Sequence, residues 1–594
     1  MSSNKYLEPK DLENNPDLKF AMEYEYPPYS TETGVSKILT GENSHKCPVY
    51  VKRVPPCTNS CPAGEDIRGY QNILRGVEVV EGIDDKWEAA WRRLVDSNPF
   101  PAVMGRICPA PCEGGCNRGE VDETVGINSI EHALGEYALE KGFGLVQPGQ
   151  TLPAETGKKV AVIGAGPAGL STAYQLRKKG HAVTIYESQQ KTGGMMRYGI
   201  MGYRVDRKIL DAEIQRILDL GVELKTGVSI GTDVSLNDLE KQYDAVFLGP
   251  GAQQGRNLPV TGFENSPYVS NAIKFLMDYE QSPEKMTIGK NIVVLGDGDV
   301  AMDVARLALR LGSKATILSA VDREDMNCSK YEFDEAVTEG TEFTYNTSVT
   351  EVLKDGEKVR ALKCVKMVKK EKGEDGWNHA IPFLRYKPLE GSEFELETDM
   401  VVASIGQTTN MKGFEEVANK KGMLPVDVHH QVKDRENIFA GGDAVKIDLI
   451  TTAVGHGKKA AESIDVYLSG KPYPAKTRYE IADFKKMHPY FFEAADKSKR
   501  GHRKIENVVG NFEEILEPLN AQWTEWEANR CMSCGLCFTC KQCLLYCPKE
   551  AISFDRKKPI GETMFTDYNK CVGCHVCHDI CPSGYIDMAM GEDL

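Results

Sequence analysis

No run of about 18 consecutive apolar residues occurs anywhere in this 594-residue chain, so no membrane span is expected. The opening MSSNKYLEPKDLENNPDLKF is charged and holds neither an apolar core nor a twin arginine, so no export signal is expected. Basic charge is in deficit. The 72 Lys and Arg against 87 Asp and Glu leave a net charge of -15, which argues against nucleic acid as the main partner. Low-complexity tracts are missing too. Hydrophobic residues, at 41%, suffice for real cores, and the length implies several domains. What the chain has in quantity is cysteine, 18 in all. In a long chain without a signal peptide, that many thiols mean metal or redox chemistry in a reducing compartment, so the expected location is cytoplasmic.

Ten of those cysteines crowd the last stretch. Cys537, Cys540, Cys543 and Cys547 read C-x-x-C-x-x-C-x-x-x-C before Pro548, and Cys571, Cys574, Cys577 and Cys581 repeat the run before Pro582. Three closely spaced thiolates wrap three corners of a cuboidal cluster, and the fourth, before proline, reaches the other cluster. Cys537, Cys540 and Cys543 are therefore expected with Cys581, and Cys571, Cys574 and Cys577 with Cys547. Zinc would favour cysteine pairs separated by a longer loop. The segment resembles a bacterial-type ferredoxin with two [4Fe–4S] clusters. Cys531 and Cys534 precede the run at the same three-residue period. Spacing leaves them open as alternative ligands, as ligands of a cluster elsewhere, or as free thiols.

Two glycine turns mark dinucleotide folds. In KKVAVIGAGPAGLSTAYQLRKKGHAVTIYE, a β-branched strand leads into Gly164, Gly166 and Gly169, a helix follows, and a second strand ends on Glu187. The three glycines give the tight turn, the backbone approach to a pyrophosphate and the close helix–strand packing, and Glu187 stands where an acid binds ribose hydroxyls. In KNIVVLGDGDVAMDVARLALRLGSKATILS the same order holds Gly296 and Gly298, with Ala301 in the third-glycine place. Asp297 and Asp299 are expected to point outward, away from a pyrophosphate. NIFAGGDA at 437–444 resembles the C-terminal FAD signature of two-dinucleotide flavoproteins, which implies Gly442 and Asp443 at the flavin's ribityl chain. DAVFLGPGA at 244–252 resembles the crossover into a nicotinamide domain. The first fold would then take FAD, and the second, inserted into it, a nicotinamide.

The front end carries Cys57-x-x-x-Cys61-Pro62, GRICPAPCEGGC at 105–116 and GINSIEHALGEYA at 126–138. With GAGPAG, GGMMRYGI at 193–200 and AGGDA, these resemble the glutamate synthase small-subunit family, over roughly residues 40–470. Dihydropyrimidine dehydrogenase and the electron-bifurcating transhydrogenases share the domain. The resemblance places Gly194 at the FAD. It implies one cluster near the flavin on Cys61, Cys108 and Cys112, with Glu131 in the place of a carboxylate or amide ligand. An ordinary exposed helix residue is the alternative for Glu131. A second cluster would use Cys57, Cys116 and two upstream cysteines, but the family's upstream C-x-x-C is missing and only Cys47 remains. His45, a distant residue, or no second cluster at all are the readings left. Cys328 and Cys364 are expected to be ordinary buried cysteines.

The fold class implied is multidomain α/β. Expected units are a helical iron–sulfur domain at 1–155, FAD domain at 156–288 and 401–470, an inserted NAD(P)H domain at 289–400, a linker at 471–522 and a two-cluster ferredoxin domain at 523–594. NADPH-using relatives place an arginine pair where this chain has Ala320 and Val321, which favours NADH, with Arg323 two residues on as the residue that could reach a 2′-phosphate. The basic, aromatic linker reads better as packed along the body than as a docking surface. His429, His430 and His575 read as solvated or packed rather than as metal ligands.

A flavoprotein core with a C-terminal ferredoxin is similar to the iron–sulfur flavoproteins linked to dissimilatory sulfite reductase in sulfur-oxidising bacteria. That resemblance implies an NADH:acceptor oxidoreductase using FAD and [4Fe–4S] clusters, with a sulfite reductase or a ferredoxin-like protein as redox partner. A glutamate synthase-type electron-transfer subunit and an electron-bifurcating subunit are the alternatives. No catalytic side chain is named, because hydride transfer needs positioning rather than acid–base work. A homodimer is expected, since it would let one chain's ferredoxin face the other's flavin.

Overall fold

The computed structural model describes residues 44–590 apart from 148, 265 and 476–478. The opening twenty residues, on which the expected lack of an export signal rests, lie outside them. Two parallel five-stranded sheets organise the centre. The first runs Ile438–Ala440, Ala245–Leu248, Lys159–Ile163, Ala182–Glu187, Glu223–Thr226. Its central strands are apolar runs rather than alternating ones, because helices cover both faces. Helices Pro167–Arg177 and Ile450–Ser469 pack together over Val160, Val162 and Phe247. Pro167 begins its helix at the first turn, where the missing N–H costs nothing.

The second sheet runs Glu342–Thr344, Lys314–Leu318, Asn291–Leu295, Met400–Ala403, Val269–Asn271. The expected junctions at 288/289 and 400/401 are therefore displaced. Val269–Asn271, assigned from sequence to the first FAD segment, is an edge strand of the nicotinamide-type sheet, and Met400–Ala403 straddles the other junction. A three-residue strand, VSN, has too little pattern to be read from sequence.

In front of these sheets, Ile67–Leu74, Lys86–Val95, Pro101–Ile107 and Ile127–Glu140 form a helical cluster around Tyr70, Trp91, Leu94 and Leu134. Asp66 and Asp85 cap the first two, accepting from Gly69 N and Trp87 N. Pro101–Ile107 and Ile127–Glu140 cross almost backbone to backbone. A Cβ on Gly105 would lie 2.4 Å from His132 N, and one on Gly135 2.3 Å from Ala102 N.

The segment after the flavoprotein wraps along the body. Arg500 Nη1 donates to Gly105 O, Lys497 pairs with Glu113 at 2.6 Å, and Phe512 stacks on Tyr279 with ring centroids 5.6 Å apart. Tyr479 and Tyr490 stay exposed. At the C-terminus, hairpin Ile552–Phe554/Met564–Thr566 and strand Ile586–Ala589 frame the cysteine runs. Ile586–Ala589 pairs antiparallel with Cys47–Tyr50, so the front of the chain supplies a strand to the far end. Among the described residues no helix is long and apolar enough to cross a membrane.

Candidate redox site

A cavity of ≈ 530 Å³ opens at the carboxyl ends of the first sheet, the place where open α/β sheets bind ligands. Gly164, Gly166, Glu187, Gly194, Gly442 and Asp443 all line it. Gly164 takes φ +94°, and a Cβ there would meet Gly249 O at 2.3 Å. Gly169 stands behind the cavity, where a Cβ would lie 1.9 Å from Gly164 O, so only glycine lets helix and turn approach this closely. The Glu187 carboxylate accepts the backbone N–H groups of Ala165 and Gln189, both at 2.7 Å. Burial pushes the Asp443 carboxyl up to about 6. Gly442 N donates to His456 Nδ1 at 3.2 Å. Burial holds His456 down at about 4, so the ring is a neutral acceptor.

A second cavity, of ≈ 680 Å³, adjoins the first. Met195, Asp443, Asp448 and Ile450 line both. Asp299, Ser329 and Tyr331 of the second dinucleotide fold form one wall, and Ile107, Cys108 and Pro109 another. Lys497 and Arg500 also line it. Their only sequence signal was the basic cluster KSKRGHRK. Gly296 takes φ +122° against Ser404 O, whereas a Cβ on Gly298 would meet nothing within 4 Å. Ala301 is fully buried beneath the turn. Asp297 and Asp299 do not point outward. Asp297 accepts from Asn327 Nδ2 at 2.9 Å and Ser319 Oγ at 3.0 Å, and Asp299 from Ser329 N at 2.7 Å. The turn's own charges are thus spent on the loop after the second strand. Val321 is buried. The Arg323 guanidinium carbon sits 3.4 Å from the Phe333 ring centroid and makes no ion pair with a carboxylate among the described residues.

The thiols gather in four places. Cys537, Cys540, Cys543 and Cys581 face one another, and Cys547, Cys571, Cys574 and Cys577 surround a small void. Cys61, Cys108 and Cys112 meet below the flavin-side cavity, with two buried carboxylates, Glu65 and Glu131. Asn98 Nδ2 donates to both, at 2.9 Å to Glu65 and 2.7 Å to Glu131. The tight crossing of the two glycine-bearing helices sets Glu131 beside Cys108. Burial pushes Glu65 up to about 7 against the pull of Asn98 and Lys458, and burial together with the neighbouring Glu65 and Glu213 carboxylates drives Glu131 well above the carboxylate range. Glu131 is thus not an exposed helix residue, and Glu65 was missed because its four-residue offset from Cys61 carries no known ligand pattern.

The fourth gathering joins Cys57 and Cys116 to Cys531 and Cys534. Cys47, expected with Cys57 and Cys116, is elsewhere. Its strand pairing carries it to the ferredoxin end, against Cys571. Among the described residues no three His, Cys, Asp or Glu side chains close tightly enough to hold a single ion. The thiols instead gather in sets of three and four, as cuboidal clusters require, and two of the sets ring small voids. Cys328 is partly buried, and buried Cys364 is a strand residue. His429 stacks on Tyr473, His430 Nδ1 contacts Ala440 O, and His575 Nε2 contacts Ser44 Oγ.

Comparison with known proteins agrees with this geometry. Residues 158–457 match the pyridine nucleotide-disulphide oxidoreductase family, 30–143 the dihydropyrimidine dehydrogenase 4Fe–4S domain II, and 536–585 the 4Fe–4S dicluster domain. The chain belongs to the pyridine nucleotide-disulphide oxidoreductase family, in its glutamate synthase small-chain-like, iron–sulfur branch. It is 32% identical over 512 residues to the β subunit of an NADP(+)-dependent formate dehydrogenase from Moorella thermoacetica, covering 81% of this chain and 70% of that one. It is 33% identical over 530 residues to the β subunit of an NADPH-Fe(3+) oxidoreductase from Geobacter sulfurreducens, covering 81% and 75%. The glutamate synthase [NADPH] small chain of Mycobacterium tuberculosis is 29% identical over 465 residues, covering 71% and 88%. The protein is a flavin- and iron–sulfur-dependent oxidoreductase.

The residues present fit those groups. A Cβ on Gly298 would occupy open space at a helix N-terminus, the cradle a pyrophosphate needs. Burial raises the Cys61, Cys108 and Cys112 thiols, protons that iron would replace, since a metal-coordinated thiol is deprotonated outright.

Proposed function

We propose that this protein is an NADH:acceptor oxidoreductase that passes electrons between NADH, FAD and [4Fe–4S] clusters, to or from a redox partner protein. The observation that carries the reading is the shared cavity. Asp299 of the second dinucleotide fold, Asp443 of the flavin fold and Cys108 of the thiol set all line it.

Bound flavin supplies the exchange between hydride and single electrons. The chain's own residues do the rest. Gly164, Gly166, Glu187, Gly194, Gly442 and Asp443 would hold FAD, with Gly169 packing the turn. Gly296 and Gly298 would admit the nicotinamide's pyrophosphate, with Ala301 beneath. Cys61, Cys108 and Cys112 with Glu131 would hold the flavin-side cluster. Glu131 is preferred over Glu65 because it stands where the family resemblance puts the fourth ligand, beside Cys108. Cys537, Cys540, Cys543 and Cys581 would hold one ferredoxin cluster, and Cys571, Cys574, Cys577 and Cys547 the other.

NADH is preferred in this reading because Ala320 and Val321 stand where a phosphate clamp would need arginines, although the relatives named above carry NADPH or NADP in their names. Arg323 would bind neither cofactor's ribose, its guanidinium being engaged over Phe333. The partner proposed is a dissimilatory sulfite reductase, electrons from sulfur oxidation reducing NAD. A homodimer stays part of the proposal, with each chain's ferredoxin segment packed on its own front domain. The test is anaerobic electron exchange with a purified sirohaem sulfite reductase. Exchange coupled to NAD reduction supports the partner. No exchange, or a requirement for a second simultaneous acceptor, rejects it.

A further inference from the structure

Residues Cys57 and Cys116 lack their expected company. Ahead of Cys57 the chain has one cysteine, Cys47, and that thiol lies against Cys571. Two thiols alone do not hold a cuboidal cluster, yet both line a small void of ≈ 20 Å³ walled by Pro55, Pro56, Gln71 and Val125. The opposite wall is Cys531 and Cys534. Their segment is clamped there. Arg68 Nη1 donates to Cys534 O at 2.6 Å, Arg75 donates to Cys531 O and at 2.8 Å to Ser533 Oγ, and Ser533 Oγ donates to Asn72 Oδ1 at 2.6 Å. Ahead of it, fully buried Glu527 accepts from Gly126 N at 2.6 Å and from Ser498 N at 2.7 Å, and pairs with Arg530 at 2.6 Å. Half-buried Arg68 lines the void and half-buried Arg75 stands beside Cys531 and Cys534, neither with a carboxylate ion pair among the described residues, which leaves positive charge near these thiols. A cluster with four thiolates carries net negative charge, and guanidinium groups at its edge would offset it.

We propose that Cys57 and Cys116 from the front of the chain and Cys531 and Cys534 from the approach to the ferredoxin together ligate a further [4Fe–4S] cluster. The ligand pair the family draws from upstream is supplied here from more than four hundred residues downstream. This cluster is the link between the two halves of the electron path. Cys57 and Cys61 share one helical turn, and Cys116 follows directly on the turn that holds Cys112, so it adjoins the flavin-side set. Cys534 and Cys537 are three residues apart, so it also adjoins the ferredoxin. It takes one electron from one neighbour and gives one to the other, with no bond made or broken. Fifteen cysteines and Glu131 then serve four clusters, leaving Cys47, Cys328 and Cys364 without iron.

The inference rests on the iron–sulfur flavoprotein reading, and its test separates the two. Iron, acid-labile sulfide and FAD are measured on the anaerobically purified full chain, with EPR after dithionite. Wild type is expected to hold about sixteen irons per FAD, and C531S/C534S about twelve, with FAD and the other cluster signals kept. C531S alone, with three thiolates left, is expected to give a [3Fe–4S] signal on oxidation should the double variant not fold. C47S keeps all its iron. In C531S/C534S, NADH still bleaches the flavin at the wild-type rate while reduction of the ferredoxin clusters slows at least tenfold. About twelve irons in wild type, a full complement in C531S/C534S, or loss of a cluster in C47S overturns the proposal. Absence of FAD, or a flavin that NADH does not bleach, sinks the functional reading instead and leaves the iron count to judge the cluster.

Discussion

Alanine at the two glycines of the second turn should separate binding from folding. Gly298 has φ -89° and ψ 173°, which any residue adopts, and a Cβ there meets nothing within 4 Å. G298A is therefore neutral to slightly stabilising for the fold, within about 1 kcal/mol, because alanine narrows the unfolded ensemble. The methyl group projects into the space assigned to the nicotinamide's pyrophosphate, at the N-terminus of helix Asp299–Arg310. Losing that close approach costs about 2 kcal/mol of binding, roughly thirtyfold in KM for NADH. Gly296 behaves oppositely. Its φ is +122° and a Cβ would press within 2.2 Å of Ser404 O, so G296A loses folded protein before it loses affinity. The assay is anaerobic NADH:ferricyanide turnover beside a urea unfolding midpoint. An unchanged KM in well-folded G298A would refute the assignment of this turn to the nicotinamide.

Three other outcomes follow from buried charges. E527A should destabilise the fold by about 3–5 kcal/mol and free the approach to the ferredoxin from the helical domain, because Arg530 and two N–H groups lose their partner, as seen in a lower urea midpoint and new proteolysis near residue 520. Burial holds the Glu213 carboxyl, which accepts from Ala102 N at 2.8 Å, up at about 7 from an ordinary 4.5. Its folded value is the higher one, so its stabilising contribution is complete below about pH 4.5 and is lost as pH rises through 7; E213Q should flatten the urea-midpoint curve across that window by up to about 3 kcal/mol. E131A should change the EPR signal of one cluster and leave the ferredoxin signals alone, whereas E65A should change none.

Much of the architecture was legible because its signals are local. Both glycine turns sit between apolar strands and helices; the first lines a cavity, and Asp299 just after the second lines the neighbouring one. The two cysteine runs pair across, as three-plus-one spacing implies. What escaped was long-range. Nothing in CPVY says that Cys47 leads a strand bound to Ile586–Ala589 rather than a ligand loop. Nothing in the spacing of Cys531 and Cys534 names Cys57 and Cys116 as neighbours, since that apposition is set by the burial of Glu527 and Arg530. Glu65 could have been suspected only from Asn98, whose single amide nitrogen serves two carboxylates. Asp297 and Asp299 misled because repulsion from a pyrophosphate was weighed without the loop N–H and hydroxyl groups that take up their charge.

The central claim is a continuous path from nicotinamide to ferredoxin. Its most direct test is an anaerobic NADH titration of the purified protein followed by absorbance and EPR, with NADPH in parallel. The account predicts that NADH bleaches the flavin and then raises reduced-cluster signals, while NADPH does so poorly. Bleaching of the flavin alone would contradict the path, and equal or better reduction by NADPH would contradict the reading of Ala320 and Val321.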